Sequence, residues 1–292
     1  MLILGDWGTS TCRLHLLRGG DVIDAARGPG IKGLVNPAEA FAEMTSQWRA
    51  RHGAVPALLC GTVGANIGWA DAGYVPCPAT LEEVVAGAIQ PAPGVRILPG
   101  VATEANMFGL SDVMRSEEIQ AFGFARMTGR TTVRLCLPGT HTKWVEMEAG
   151  SIRNATTGFT GELFAALSEH TLLASPGEVA LDEAFRAGVC LGAGHPSLVS
   201  ALFATRAEAA RGRLSTAEAR ARLSGLIIGA DCAGALDAWG VPPDAVVGAP
   251  ALCAAYVEAL SELGHGVDCH DGEAAALAGL GLAAERMGLA KA

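Results

Sequence analysis

The apolar residues of this chain fall into two rhythms: short runs or alternations that predict strands, and a three-to-four spacing that predicts helices. Leu2, Ile3 and Leu4 read as a buried strand ended by Asp6, and CRLHLL at 12–17 alternates as a second strand should. A third strand is expected over 21–26, followed by a helix from Pro37 to about Arg51, with Asn36 as its N-cap and Phe41, Met44 and Trp48 on one face. ALLCG and VRILPG read as further strands and EEIQAFGFARM as a helix; RMTGRTTV, with its glycine and charges, breaks the chain. VRLCLPGTHTKWVEMEAGSI then restarts with strand, turn, strand, turn and strand. Thr160 is expected to cap a helix to about Leu173, and Ser215-Thr216-Ala217-Glu218 is a capping box for another. Gly225 and Gly229 in SGLIIGADCAGAL are small enough for close packing, AVVGAP is a strand leading into the helix ALCAAYVEALSEL, and a last helix covers Glu273 to about Met287.

Between the first two strands lies Gly8-Thr9-Ser10-Thr11, directly after Asp6. A strand that ends on a carboxylate and reverses through glycine and hydroxyl residues gathers backbone N–H groups, hydroxyls and one negative charge. That combination suits a metal-bound phosphate chain; an ordinary hairpin would use the same residues. The turn recurs as Gly139-Thr140-His141-Thr142, again between two strands, and each copy is followed by a cation, Arg13 or Lys143. Leu137 stands where Asp6 stands in the first copy, so only the first half supplies a carboxylate. Two related halves, divided at 127/128 into residues 1–127 and 128–292, are expected to grip a phosphate chain from both sides of a cleft.

Composition narrows the partners. The chain has 292 residues, half of them hydrophobic, enough for two domains with a full core. A net charge of −9 argues against nucleic acid or an anionic membrane as the main partner. No apolar run of about 18 residues predicts a membrane span, and no signal peptide is read at the N-terminus. The eight cysteines form no C-x-x-C pair and several sit in apolar runs, which fits reduced thiols in a cytoplasmic protein. The composition is compatible with a homo-oligomer.

The paired turns resemble those of the actin and hexokinase superfamily of ATPases. Within it, DWGTSTCRL, GTVGANIGW, MRSEEIQAFG, LPGTHTKWV, TGELFAALSEHTLL, SGLIIGAD and VVGAPALCAAYVEAL together resemble the 2-dehydro-3-deoxygalactonokinase family over nearly the whole chain. The resemblance implies an α/β fold with two related ribonuclease-H-like domains of the actin/hexokinase type around a central cleft. It also implies phosphoryl transfer from ATP to the 6-hydroxyl of a 2-oxo-3-deoxy sugar acid, with Mg²⁺ as cofactor. Ser116 stands where that family usually has glycine, which narrows the backbone's freedom there.

On this resemblance Asp6 holds Mg²⁺ through water, and Gly8, Thr9, Ser10, Gly139, Thr140 and Thr142 donate to phosphate oxygens. Lys143 is either a phosphate cation or a solvated strand lysine, and Trp144 reads as core. Sugar kinases of this type place a carboxylate at the start of a helix to take the hydroxyl proton; Glu117 or Glu118 fits, with Glu117 favoured. Arg115 suits the substrate carboxylate and Lys32 is a second candidate. Asn66 and Trp69 are expected to bind and wall the sugar, and the backbone at Gly248 and Ala249 to approach adenosine. A phosphohydrolase of the same superfamily, a kinase for another 2-oxo-3-deoxy sugar acid and a non-catalytic sugar sensor are the competing readings; the sensor would carry a DNA-binding module, for which no helix-turn-helix segment is read.

Overall fold

The structure is a computed structural model that describes residues 1–289. The chain divides into two compact units. The first takes Met1–Val133, Val145–Ala155 and the described residues from Gly272 on; the second takes Arg134–Trp144 and Thr156–Asp271.

The strands are β1 (Leu2–Trp7), β2 (Thr11–Arg18), β3 (Asp21–Pro29), β4 (Ala57–Cys60), β5 (Tyr74–Pro76), β6 (Ile89–Ala92), β7 (Val95–Ile97), β8 (Gly100–Thr103) and β9 (Asp112–Met114), then β10 (Val133–Leu137), β11 (Thr142–Glu148), β12 (Ser151–Gly158), β13 (Ala245–Gly248) and β14 (Cys269–Asp271). The helices are α1 (Pro37–Met44), α2 (Ser46–His52), α3 (Leu81–Ala86), α4 (Glu117–Thr128), α5 (Thr160–His170), α6 (Glu183–Gly194), α7 (Leu198–Ala210), α8 (Thr216–Trp239), α9 (Pro250–Glu262) and α10 (Gly272–Arg286).

The duplication expected from the two turns appears in the sheets. One runs β3-β2-β1-β4-β7-β6 and another β12-β11-β10-β13-β14; a third, smaller sheet runs β5-β8-β9. In each large sheet three consecutive strands are laid side by side, and the next strands join on the far side of the first. β4 pairs parallel to β1 and β7 to β4, as β13 pairs parallel to β10 and β14 to β13. This is the α/β architecture that the actin/hexokinase resemblance implies.

Several elements differ in extent from the expectation. β1 continues through Asp6 to Trp7, so the carboxylate is the last residue but one of its strand. The helix expected from Pro37 to Arg51 is two helices: Asn36 caps the first through its side chain, and the chain breaks at Thr45, whose hydroxyl donates back to the Phe41 carbonyl at 2.8 Å. Such back-bonding competes with the helical ladder. Thr160 is the first residue of α5 rather than its cap; Phe159 holds the cap position without a side-chain bond. The capping box at Ser215 and Glu218 forms as expected.

The cut expected at 127/128 falls at the last residue of α4, whereas the first unit's long segment runs on to Val133. That unit also reclaims α10 from the end of the chain, because α10 packs on α4 at glycine contacts. A Cβ at Gly123 would run into the Ala275 carbonyl, and one at Gly279 into that of Ile119. In the second unit α8 crosses α6 in the same manner, with Gly225 and Gly229 seated against the backbone of Phe185 and Val189. The first unit's core gathers Ile3, Trp7, Leu14, Leu16, Phe41, Trp48, Leu59 and Ile97; α7 and α8 share a smaller cluster around Ala201, Leu223 and Leu226.

Candidate functional site

In the first unit the end of β1, the turn at 8–11, the loop at 61–69 and the start of α4 converge. Within the turn, the Gly8 N–H donates to the Thr11 carbonyl at 2.9 Å, and Thr9 and Ser10 are exposed. The Lys32 N–H donates to the Thr9 carbonyl at 3.0 Å, which brings the exposed Lys32 beside the turn. The Thr9 and Thr62 hydroxyls lie 3.0 Å apart and tie the turn to the 61–69 loop. Asn66 is exposed on that loop, whereas Trp69 is half-buried and packs on Phe41, ring centroids 5.6 Å apart. Trp69 therefore serves the core at least as much as a pocket wall.

Asp6 is enclosed, its side chain 14 % exposed. Ser116 Oγ donates to Asp6 Oδ1 at 2.6 Å, and Arg13 Nη1 lies 3.4 Å from Oδ2. The cation that follows the first turn thus faces the carboxylate. Burial pushes the Asp6 carboxyl up, while the Ser116 hydroxyl and Arg13 hold it down. Among the described residues no group of three or more His, Cys, Asp or Glu side chains could hold a metal ion. A lone carboxylate with polar neighbours still fits Mg²⁺, which keeps most of its waters and draws its other ligands from phosphate.

The segment 115–118 brings the expected acids and the arginine together. Ser116 precedes α4 with φ of 94°, a left-handed backbone conformation that favours glycine. Its amide N–H donates to Glu118 Oε1 at 3.0 Å, and the Arg115 N–H donates to Glu117 Oε2 at 3.2 Å. Glu118 has no exposed surface and its Oε2 has no hydrogen-bond partner. Burial, reinforced by the charge of Glu117, pushes the Glu118 carboxyl up to about 8. Glu117 is half-buried and keeps contact with solvent.

The Arg115 guanidinium stacks 4.4 Å from the Tyr74 ring centroid and gives one bond from Nη2 to the Gly73 carbonyl at 3.0 Å. Its Nε and Nη1 are buried without a partner. Gly64 leaves the room that Nη1 occupies, since a Cβ there would stand 3.0 Å from it.

In the second unit the turn at 139–142 is tied to α5. Glu162 N–H donates to the Thr140 carbonyl at 2.9 Å, and His141 Nε2 lies 2.6 Å from Glu162 Oε2. Gly139 is half-buried and Thr140 is exposed. Thr142 is expected among the donors to phosphate oxygens, and the structure removes its hydroxyl from that role. The residue is wholly buried, and its Oγ1 is engaged by Thr160 at 2.8 Å and Tyr256 at 2.7 Å. Lys143 is buried rather than solvated, and its Nζ donates to the His141 carbonyl at 3.2 Å. Trp144 is core, 1 % exposed, as expected. Gly248 ends β13 against Pro138, where a Cβ would stand 3.2 Å from the ring, and Ala249 is exposed at the cap of α9.

Tyr74, Ser116 as a hydrogen-bonding group, Tyr256 and Asp231 are absent from the sequence reading. Asp231 alone carries a visible signal, a single carboxylate inside the apolar run SGLIIGADCAGAL.

Comparison with known proteins agrees with the motifs. The family described as 2-keto-3-deoxy-galactonokinase matches residues 6–283. A Rhizobium meliloti protein named as a probable 2-dehydro-3-deoxygalactonokinase is 36 % identical over 296 residues, covering 96 % of this chain and 95 % of its own. The 2-dehydro-3-deoxygalactonokinase of Escherichia coli is 31 % identical over 282 residues, 94 % of each chain. The crystal structure of a Sinorhizobium meliloti protein described as a putative 2-dehydro-3-deoxygalactonokinase superposes with a TM-score of 0.88 at 33 % identity over 98 % of this chain and 99 % of that one. The Acidaminococcus fermentans (R)-2-hydroxyglutaryl-CoA dehydratase component A shares the fold alone, with a TM-score of 0.52 at 14 % identity over 98 % of each chain.

Proposed function

The chain belongs to the 2-keto-3-deoxy-galactonokinase family, and from that premise we propose that it transfers the γ-phosphoryl group of ATP to the 6-hydroxyl of 2-dehydro-3-deoxygalactonate. The first unit carries the first phosphate turn, the sugar-acid subsite and the base; the second carries the second phosphate turn and the adenosine subsite. One observation bears most of the weight. The four residues 115–118 join Asp6, through Ser116 Oγ at 2.6 Å, to a guanidinium with two unspent nitrogens and to a half-buried carboxylate. A carboxylate suited to a metal-bound phosphate and an arginine suited to an organic acid belong together in a sugar-acid kinase.

Phosphoryl transfer asks the protein for position and charge neutralisation rather than covalent chemistry. Asp6 would hold Mg²⁺ through water, and the metal would neutralise charge on the phosphates. The backbone and hydroxyls at Thr9 and Ser10, with Gly139 and Thr140, donate to phosphate oxygens; Gly8, whose N–H is spent on the Thr11 carbonyl, shapes the turn instead, and Lys143 adds positive charge behind its turn. Arg115 takes the substrate carboxylate, with Lys32 as a second cation; Asn66 bonds sugar hydroxyls beside Trp69. Glu117, still open to solvent, accepts the 6-hydroxyl proton. The backbone at Gly248 and Ala249 flanks adenosine. No described helix is long and apolar enough to cross a membrane, and eight free thiols suit a reducing, cytoplasmic compartment.

The test is a coupled ADP-release assay across 2-oxo-3-deoxy sugar acids and plain hexoses. ATP- and Mg²⁺-dependent ADP release with 2-dehydro-3-deoxygalactonate is expected. Release with glucose or glycerol but with no sugar acid, or release that ignores every acceptor, overturns the reading.

A further inference from the structure

We propose that Asp231 and Tyr256 are positioning residues for the second phosphate turn, acting through the hydroxyl of Thr142. The proposal rests on the reading that residues 139–142 hold ATP phosphates.

Each group in this network has a fixed number of protons to give. Trp144 Nε1 can only donate, and it reaches Asp231 Oδ2 at 3.1 Å. The Tyr256 hydroxyl has one proton and gives it to the same oxygen at 2.9 Å. The Tyr256 oxygen must then accept, and Thr142 Oγ1 stands 2.7 Å away to donate. Thr160 Oγ1 lies 2.8 Å from Thr142 Oγ1 and 3.3 Å from the Tyr256 oxygen, and by either contact the chain runs through Tyr256 and ends on Asp231. All the protons point toward Asp231, so one carboxylate orders the hydroxyls of Tyr256, Thr142 and Thr160. Trp144, Tyr256, Thr142 and Thr160 are buried, so water does not offer them alternatives. Asp231 itself is half-buried; it is seated against β12 at Gly158, where a Cβ would overlap its carboxylate.

The chain has a clear output. Thr142 is the last residue of the turn and the first of β11, while Thr160 opens α5. The polar chain and the Glu162–Thr140 backbone bond therefore fasten the turn to α5 at two points. A turn so fixed presents its N–H groups without reorganising when phosphate arrives, which is what electrostatic preorganisation requires.

Tyr256→Phe keeps the ring and removes the relay; Thr142→Val keeps the shape and removes the hydroxyl. Loss of one buried hydrogen bond corresponds to about three- to tenfold in an equilibrium constant. Each variant is expected to raise the KM for ATP by about that factor and to leave the KM for the sugar acid where it was. The double variant Tyr256→Phe/Thr142→Val should lose no more than the worse single, because both cut one chain. A lower melting temperature with both KM values unchanged, or equal rises for ATP and the sugar acid, would overturn the proposal. Should Tyr256→Phe not fold, Thr142→Val carries the same test. Gly139→Val separates the two levels. If it leaves the KM for ATP unchanged, the reading of the turn is wrong. If it raises that KM while Tyr256→Phe and Thr142→Val do not, the positioning role alone falls.

Discussion

Glu118 in the first unit and Asp231 in the second are both carboxylates held among apolar elements, and they settle in different protonation states. Glu118 receives the Ser116 N–H on one oxygen, leaves the other without a partner and has the acid Glu117 beside it; its carboxyl is pushed up to about 8. Asp231 collects the Trp144 and Tyr256 donors on a single oxygen, and desolvation pushes it up only to about 6. Near pH 7 the first keeps its proton and the second is mostly ionised. Enclosure raises both; the donors and neighbouring charges decide where each settles. An ionised acid can order the hydroxyls around it, which is the role inferred for Asp231. A neutral one beside the site leaves the chemistry to its half-exposed neighbour, Glu117.

The largest expected effect tests that division of labour. Glu117→Gln should lower turnover by about 10²–10⁴, the range for losing a general base, with little change in substrate affinity. Glu118→Gln should stay within about tenfold of the parent, since the amide resembles a carboxyl that is already neutral. Adjacent helical positions point about 100° apart, so only one of the two can face the substrate. Turnover measured by ADP release decides the matter. A crippled Glu118→Gln beside a nearly normal Glu117→Gln would reverse the assignment.

Stability against pH gives the next effect. Below about 4.5, the ordinary value for glutamate, Glu118 is protonated in both folded and unfolded chains. As pH rises from there to about 8 the unfolded chain loses the proton and the folded protein keeps it, so stability falls across that window and levels off above it. Asp231 acts with the same sign over the narrower window from 3.8 to about 6. Glu118→Gln should therefore gain stability over the parent on moving from pH 5 to pH 8.5, on the order of a few kcal/mol. Asp231→Ala should be destabilising throughout, by about 1–3 kcal/mol for each donor it strands. Urea unfolding at pH 5, 7 and 8.5 reads both. A Glu118→Gln difference that is flat with pH would show that Glu118 ionises as easily in the folded protein as in the unfolded chain.

The architecture is legible in the sequence wherever local chemistry agrees with the pattern. Asn36 and the Ser215–Glu218 box mark helix starts because their side chains satisfy nearby N–H groups whatever the tertiary context. The paired Gly-Thr turns, with their flanking strands, disclose the duplication seen in the two sheet orders. What escapes the sequence depends on partners distant along the chain. Thr142 reads as a phosphate ligand until Thr160 and Tyr256 are found on its hydroxyl, 18 and 114 residues away. The return of α10 to α4 rests on two glycines, Gly123 between phenylalanines and Gly279 in an Ala-rich helix, neither of which announces its partner. Tyr74 is an unremarked residue until Arg115 stacks on it, 41 positions later by the numbering. Burial could not be read at Lys143 either, because a strand lysine next to a turn has no pattern of its own.

Ser116 offers the smallest effect and links both acids of the first unit, since its side chain holds Asp6 and its amide holds Glu118. Its backbone sits at φ 94°, ψ −41°, a sparsely populated region that costs a residue with a Cβ roughly 1–3 kcal/mol. The hydrogen bond to a carboxylate returns about 1.5–3 kcal/mol, so the two terms nearly cancel. Ser116→Gly, which removes both, should then unfold within about 1 kcal/mol of the parent. Ser116→Ala keeps the strain and loses the bond, and should be less stable than Ser116→Gly by the cost of the backbone conformation. Thermal unfolding of the three proteins measures this directly. Both variants leave the amide on Glu118 and release Asp6, so both should lower turnover several-fold while the pH dependence attributed to Glu118 persists. If Ser116→Ala proves as stable as Ser116→Gly, the left-handed backbone carries no cost here. If both keep full turnover, Asp6 does not need the hydroxyl to hold its orientation.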